Sequence, residues 1–359
     1  MAVFTYKCPN CDGGLEFDAA KQKFVCEYCL SEFTMEELKA HFNEEELSAQ
    51  AEADAKQERE HEHVHDGDDG DMLMYNCPSC GAEIVTDATT AASFCYYCHN
   101  PVVLSGRLAG EFRPDLVVPF TIEREEAEKR LIDWISTKKL APSDFCGKEN
   151  IEKMSGVYFP FFIVSQKING HLNAEAHNVR TWISGDTEHT ERTIYRVLRE
   201  GGIVLKNITK NALNKEEKIL VDNVLPFDIN RAKPFSMAYL SGFFAEKRNL
   251  ELDSFKEEIK AETMRYTEDL LRDTLGNYDE LHAVHVETHV KAKKNQYSLM
   301  PVWVLTYKGK DKIYYYAMNG QTGRICGDVP ISMKKLLIRF ICVAAPIFAV
   351  LCILGGLLF

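Results

Sequence analysis

The chain contains 359 residues, of which 45% are hydrophobic and 27% are charged, and this composition excludes a wholly disordered or fibrous protein. The length exceeds one average domain, so two or three units joined by linkers are expected. The formal net charge of −12 makes the chain a poor electrostatic match for a nucleic acid, because lysine and arginine drive binding to phosphates.

Residues 1–34 are predicted to form a zinc ribbon. Their four cysteines have the spacing C-x2-C-x14-C-x2-C and are Cys8, Cys11, Cys26 and Cys29. Two residues between cysteines form a tight turn in which both sulfurs face one ion, and two such turns complete a tetrahedron. The metal is expected to supply much of the folding free energy, on the order of 10 kcal/mol per site.

Residues 35–72 are predicted to form an acidic linker. Between positions 44 and 71, twelve acidic residues stand against two basic ones, so this stretch alone carries −10 of the net charge. The first part, up to residue 59, is rich in helix-forming residues. The second part has too little apolar surface to fold and is predicted to be flexible.

Residues 73–112 are predicted to form a second zinc ribbon. Cys77, Cys80, Cys95 and Cys98 repeat the spacing of the first quartet, with each cysteine displaced by 69 positions. A lone redox pair would not repeat in fours, and a cytoplasmic location, which the sequence also predicts, disfavours disulfides. Because all four ligands are thiolates, neither site leaves a position for a reactive water molecule, and we expect two structural zinc ions.

Residues 113–333 are predicted to form an α+β domain with a largely antiparallel sheet. The helices are expected at 123–138, 215–220 and 253–275. The strands are expected at 156–168, 181–198, 281–292, 299–309 and 311–320, the last two forming a hairpin. An apolar run with a proline occurs at 158–162 and again at 299–303, which suggests an internal duplication.

Residues 334–359 are predicted to form a basic flank and a transmembrane tail anchor. Positions 340–359 contain no charged residue, and a helix of that length would span about 30 Å, the thickness of a bilayer core. Lys334, Lys335 and Arg339 precede this stretch, which places the N-terminal bulk in the cytoplasm. The predicted localisation is therefore the cell membrane, crossed once.

The sequence contains no P-loop, no G-x-S-x-G nucleophile motif and no H-E-x-x-H motif, so no catalytic or cofactor-binding residue is assigned and the protein is predicted not to be an enzyme. His285, Glu287 and His289 alternate along a predicted strand. They share one face, which we interpret as solvated rather than metal-binding. An active site without a recognisable motif in the middle domain is the remaining enzymatic alternative.

The segment 299–330, LMPVWVLTYKGKDKIYYYAMNGQTGRICGDVP, together with the ribbons, resembles a family of bacterial membrane proteins with a TFIIB-type zinc ribbon. The part that carries the resemblance is 316–323, followed by Gly327 and Pro330. Asn319-Gly320 within it is also a preferred hairpin dipeptide, so a turn is predicted there. The resemblance implies partners of the phage-shock protein A and SPFH-domain classes, which act at the membrane under envelope stress.

The sequence thus predicts a non-enzymatic, membrane-anchored zinc-ribbon adaptor that recruits cytoplasmic proteins. The predicted partners are membrane lipid and other membrane-associated proteins. The alternative is a membrane-tethered protein whose ribbons bind nucleic acid, and the acidic charge disfavours it.

Overall fold

The architecture is seen in a computed structural model, which describes the following residues: 3–4, 6–42, 72–76, 83–87, 89–94, 101–104, 108, 112–142, 154–214, 218–308, 313–329 and 331–358. Strands are the main element of the described chain. They are β1 (Val3–Phe4), β2 (Leu15–Asp18), β3 (Lys23–Cys26), β4 (Glu32–Phe33), β5 (Met72–Asn76), β6 (Glu83–Asp87), β7 (Thr90–Phe94), β8 (Pro101–Leu104), β9 (Leu116–Val117), β10 (Ser155–Ser184), β11 (Thr187–Asn211), β12 (Lys233–Pro234), β13 (Phe244–Glu246), β14 (Glu280–Lys308), β15 (Ile313–Asn319) and β16 (Ile325–Gly327).

The described α-helices are short compared with the longest strands, apart from the last one. They are α1 (Met35–His41), α2 (Arg124–Ser136), α3 (Lys218–Asn223), α4 (Lys256–Arg272) and α5 (Met333–Leu358). The three helices predicted in the middle of the chain correspond to α2, α3 and α4. Within the acidic segment, α1 begins with a capping box between Thr34 and Glu37, which satisfies backbone N–H groups at its first turn. Residues 43–71 lie outside the described part.

Eleven of the described strands form one large sheet, in which the main path is β1-β8-β7-β13-β10-β14-β15-β16. Most neighbours are antiparallel, but β10 and β13 are parallel, with Val157 opposite Phe244. The predicted fold class, an α+β domain with zinc ribbons and a transmembrane helix, is therefore corrected to a mixed α/β fold dominated by strands. The three-stranded sheet β2-β3-β4 is separate and is compatible with the first predicted ribbon.

Two of the three longest described strands, β10 and β11, form an antiparallel hairpin that the sequence did not predict as such. The predicted strand 181–198 contains its turn: Ser184 is opposite Thr187, and Gly185 between them has a φ of +64°. A two-residue turn of this kind needs a residue with positive φ, which glycine adopts without steric cost. The predicted hairpin between 299–309 and 311–320 is confirmed, since β14 and β15 pair antiparallel from Val302 to Lys308.

The chain divides into two compact units. Unit 1 comprises Met1–Pro160, Leu213–Lys247 and Leu299–Phe359, and unit 2 comprises Phe161–Ala212 and Arg248–Ser298.

The core of unit 1 includes four aromatic side chains. Phe120 stacks on Phe243 with ring centroids 4.3 Å apart, and both lie close to Tyr158 and Trp303. Aromatic contacts at these distances add to the free energy gained from burial.

The predicted turn at Asn319-Gly320 is also part of unit 1 and is confirmed. The buried side chain of Asn319 accepts hydrogen bonds from the backbone N–H groups of Gln321 and Thr322, both at 2.9 Å. Its amide donates to the carbonyl oxygen of Val224 at 2.9 Å. Since all these bonds stay within the chain, the turn is explained by the fold.

The core of unit 2 lies between its sheet and α4. Leu172 and Ala174 of β10 pack with Leu271 of α4 and Val286 of β14. The buried face of α4 consists of residues four apart: Ile259, Thr263, Thr267 and Leu271.

The predicted tail anchor at 334–359 and the single-pass membrane localisation are wrong. Among the residues that the structure describes, no helix combines the length and the apolar character that crossing a membrane requires. The first two turns of α5 contain three basic residues: Lys334, Lys335 and Arg339.

The start of α5 is fixed to the loop that follows α2. The backbone N–H of Ser332 donates to the carbonyl oxygen of Leu140 at 2.8 Å. Lys335 donates to the carbonyl oxygen of Ala141 at 2.6 Å. One of the basic residues that the sequence assigned to a membrane flank therefore holds the helix against the loop after α2.

Candidate metal centre

The first four predicted ligands sit on two turns with the same backbone geometry. In the first turn, Cys8 N donates to Gly13 O at 2.6 Å and Asp12 N donates to Cys8 O at 2.9 Å. In the second turn, Cys26 N donates to Ser31 O at 3.0 Å and Leu30 N donates to Cys26 O at 2.9 Å. The two C-x-x-C segments are thus equivalent knuckles.

The knuckles bring the four sulfurs into one cluster. Cys8 Sγ lies 3.5 Å from Cys29 Sγ, and Cys11 Sγ lies 3.4 Å from Cys26 Sγ. All four sulfurs lie within 4.8 Å of one another. A tetrahedral ion with metal–sulfur bonds of about 2.3 Å needs sulfurs about 3.8 Å apart, so the donor set fits. Cys8, Cys11, Cys26 and Cys29 therefore form a cluster that can hold a metal ion.

Polar groups around the sulfurs link the knuckles to each other. The backbone N–H of Asn10 points at Cys8 Sγ at 3.4 Å, while the side-chain amide of Asn10 donates to Ser31 Oγ at 2.9 Å. Ser31 Oγ in turn lies 3.2 Å from Cys29 Sγ. Such contacts orient the ligands of a metal site and tune their basicity.

The pKa values of the cysteine thiols are shifted in different directions. Hydrogen bonding to the side chain of Ser31 lowers the pKa of Cys29 to about 6. Burial raises the pKa of Cys8. The backbone N–H of Gly13 lowers the pKa of Cys11, but the neighbouring thiols outweigh it and raise the pKa to about 12. The cluster therefore holds protons that a metal ion would displace, and metal binding weakens in acid.

The ribbon is packed on the rest of unit 1. The ring of Phe17 lies 5.2 Å from that of Tyr239, and the ring of Phe24 lies 6.1 Å from it. Phe17 N donates to Ser241 O at 3.1 Å, and Ser241 Oγ donates to the carbonyl oxygen of Leu15. The metal cluster is thus coupled to the segment 237–241 through strand β2.

The second predicted quartet, Cys77, Cys80, Cys95 and Cys98, lies outside the described residues. The described strands around it form two antiparallel pairs, β5 with β6 and β7 with β8. A second metal site remains a prediction from the spacing.

A cavity of about 820 Å³ lies beside the ribbon in unit 1. Its walls carry five carboxylates and one arginine in addition to apolar side chains: Glu16, Asp18, Glu27, Glu123, Glu125 and Arg124. Burial raises the pKa of Glu16, and the charge of Glu27 adds to the shift. The cavity is therefore an acidic environment that repels anions.

The alternating residues His285 and Glu287 do not form a metal cluster with His289. His285 Nε2 lies 3.3 Å from Glu287 Oε1, and both side chains are more than half exposed. A different trio comes together instead, consisting of His177, Glu280 and His282. The sequence does not reveal this trio, because His177 lies far from Glu280 and His282 along the chain.

No protein-family model matches the chain, and no solved structure is similar to it. Among curated proteins, the chain is similar to the uncharacterized protein YdjG of Bacillus subtilis (strain 168). The two are 30% identical over 354 residues, which cover 97% of this chain and 96% of the relative.

Proposed function

We propose that this chain, which belongs to the family of the uncharacterized protein YdjG, is a non-enzymatic adaptor with a structural zinc site. In this proposal the zinc ion fixes the N-terminal ribbon, and the second knuckle of the ribbon binds a partner protein. The observation that carries the proposal is the clustering of four cysteine sulfurs within 4.8 Å of one another.

The ligand chemistry supports zinc in a structural role. Thiolates bind zinc well, and a site with four of them leaves no position for a reactive water molecule. Cys8 and Cys26 are fully buried while Cys11 and Cys29 are exposed, so the ion would tie the ribbon core to its surface. The bound ion would supply folding free energy to a sheet of only three short strands.

The surface of the second knuckle supports a protein partner. Tyr28 and Leu30 are 74% and 75% exposed, although both are large and apolar. Leu30 also has a φ of +58°, a conformation that favours glycine or asparagine. Neither burial nor backbone geometry accounts for leucine at this position. The exposure of two large apolar side chains side by side supports a binding role for the tip formed by Tyr28 and Leu30.

The charges around the ribbon disfavour the nucleic-acid alternative. Lys21 lies 2.6 Å and Lys23 lies 3.3 Å from a carboxylate oxygen of Glu32, so two of the basic residues of the ribbon are paired. The adjacent cavity adds five carboxylates. A phosphate backbone would be repelled rather than attracted by this surface.

The metal part of the proposal is tested by measuring zinc in the purified full-length protein. The double variant Cys8→Ser/Cys26→Ser should contain one zinc equivalent less than the wild type. Cys326→Ser is the matched control, since Cys326 lies on β16 outside the cluster, and it should keep the wild-type content. Equal zinc content in the wild type and the double variant would refute the site.

The binding part is tested with purified phage-shock protein A-like and SPFH-domain proteins, the partner classes that the sequence resemblance suggests. The variant Tyr28→Ser/Leu30→Asn should lose partner binding while it keeps its zinc. Asp12→Asn is the control, because Asp12 occupies the equivalent position in the first knuckle with the same φ of +58°. Unchanged capture of a partner by the tip variant would remove the proposed surface.

A further inference from the structure

His177 in unit 2 is a buried histidine whose two ring nitrogens lack a hydrogen bond. Its side chain is 10% exposed, and neither Nδ1 nor Nε2 has a hydrogen-bond partner among the described residues. A buried polar group left without a partner costs about 1–3 kcal/mol. The fold therefore leaves a buried imidazole ring without a hydrogen-bond partner. A bound ligand would supply one.

Two further ligand groups face this ring from the beginning of β14. Glu280 Oε2 lies 3.9 Å from His177 Nδ1 and 3.0 Å from His282 Nε2. Glu280 and His282 are two positions apart on a strand, so their side chains emerge on the same face. The rings of His177 and His282 have centroids 4.4 Å apart.

Backbone contacts fix the two strands at this point. Asp279 N donates to the carbonyl oxygen of His177 at 3.0 Å. The carboxylate of Asp279 accepts the backbone N–H of Val179 at 2.7 Å. The start of β14 is thus joined to β10 at His177 and at Val179, which holds the three ligand residues in register.

From this geometry we infer that His177, Glu280 and His282 bind a divalent first-row transition metal ion. One ligand atom from each residue lies within 4.8 Å of the others. An ion with bonds of about 2.1 Å to nitrogen and oxygen requires donor separations of about 3.0–4.2 Å, which the two measured distances satisfy. Two imidazoles and a carboxylate suit zinc, iron or cobalt.

This site differs from the cysteine cluster in the number of coordination positions that remain open on the ion. Three protein ligands leave at least one coordination position for water or for an exogenous ligand, whereas four thiolates leave none. Glu280 and His282 are about half exposed, so solvent reaches the site from their side. The site can therefore exchange its ion and its outer ligands.

The test uses Co²⁺ as the probe on full-length protein whose cysteine sites have first been loaded with zinc. Binding is followed by calorimetry, and the absence of thiolate-to-cobalt charge-transfer absorption checks that the cysteines keep their zinc. Histidine ring signals in the NMR spectrum report which imidazoles approach the paramagnetic ion. The wild type should bind one Co²⁺ and shift the signals of His177 and His282.

The variants Glu280→Gln and His282→Ala should bind Co²⁺ at least about tenfold more weakly, since even loss of an outer-shell partner costs about 10–100-fold. Both side chains are half exposed, so neither change should unfold the protein. His285→Ala is the control: His285 is on the same strand and 71% exposed, and it should leave the affinity unchanged. Absence of Co²⁺ binding in the wild type, or equal affinity in all variants, would overturn the inference and leave water as the partner of His177.

Discussion

Replacement of Leu30 tests whether this residue serves partner binding at a cost in folding stability. With a φ of +58° and a side chain that is 75% exposed, leucine at this position contributes strain and little burial. A non-glycine residue in this region costs on the order of 1 kcal/mol, and asparagine adopts it more readily. We expect Leu30→Asn to raise the free energy of unfolding by up to about 1 kcal/mol. Chemical denaturation of zinc-loaded protein measures the change.

The control for this prediction is Leu30→Ala. Alanine shortens the side chain but keeps a Cβ in the same unfavourable conformation, so it should not give the same gain. A loss of stability in Leu30→Asn would mean that the side chain is packed against a part of the protein that its exposure does not reveal.

Glu16 makes stability depend on pH. Because burial raises its pKa, the folded state holds this proton more tightly than the unfolded chain does. The stabilisation is therefore present below the unfolded pKa and is lost as the pH rises through the folded pKa. We expect Glu16→Gln to raise the thermal midpoint at pH 7 and to change it much less at pH 4.

Melting curves at the two pH values check this prediction, with Glu36→Gln as the control. Glu36 is an exposed carboxylate on α1, outside the acidic cavity. An equal effect of Glu16→Gln at both pH values would show that the change acts through packing and not through the charge.

At the level of elements, the contact between α4 and the sheet of unit 2 depends on Gly170. A Cβ added there would lie 2.5 Å from Thr267 Cγ2 and 3.2 Å from Leu271 Cδ1. We expect Gly170→Val to destabilise the protein by about 1–3 kcal/mol, because the helix must move away from the strand. Urea denaturation measures the loss.

Gly201 provides the matched control, since it is the residue opposite Gly170 in the hairpin. A Cβ added at Gly201 meets nothing within 4 Å. Gly201→Val should therefore be neutral or stabilising, because valine favours strands over glycine. A similar loss in both variants would indicate that the strand backbone, and not the helix contact, needs glycine.

Gly170 also explains why the end of strand β10 was predicted wrongly from the sequence. Asn169-Gly170 is a typical turn dipeptide, and the predicted strand stopped at residue 168. In the structure β10 continues through it to Ser184, because Gly170 serves the approach of α4. Local sequence cannot distinguish a glycine required by a turn from one required by a tertiary contact.

The two candidate metal sites differ in how far the sequence reveals them. The ligands of the cysteine cluster lie close together in two C-x-x-C turns, so spacing alone indicated which four sulfurs meet. The histidine site needs His177 from β10 beside Glu280 and His282 from β14, and it exists only after these strands align. The contact of Lys335 with Ala141 was likewise not visible in the sequence, because the two residues lie far apart along the chain.

At the scale of the whole molecule, removal of zinc should affect the two units differently. All twelve cysteines lie within the ranges of unit 1, and the ribbon contacts Tyr239 and Ser241 of that unit. Unit 2 has its own core around Leu172 and Leu271. Loss of several kcal/mol of metal-binding free energy should lower the unfolding temperature of unit 1 by roughly 10 °C.

Hydrogen exchange after chelation locates the effect. Amides in residues 6–42 and 235–243 should exchange faster, since β2 is bonded to Ser241 and its ring contacts reach Tyr239. Amides around Leu172 should keep their protection, because unit 2 contains no cysteine. Restoring zinc should reverse the change, and the Cys8→Ser/Cys26→Ser variant should retain the faster exchange in 6–42 even with zinc added. If protection from exchange is instead lost evenly in both units, the metal stabilises the whole chain as one cooperative body. The ribbon would then not be a binding surface that the metal fixes locally.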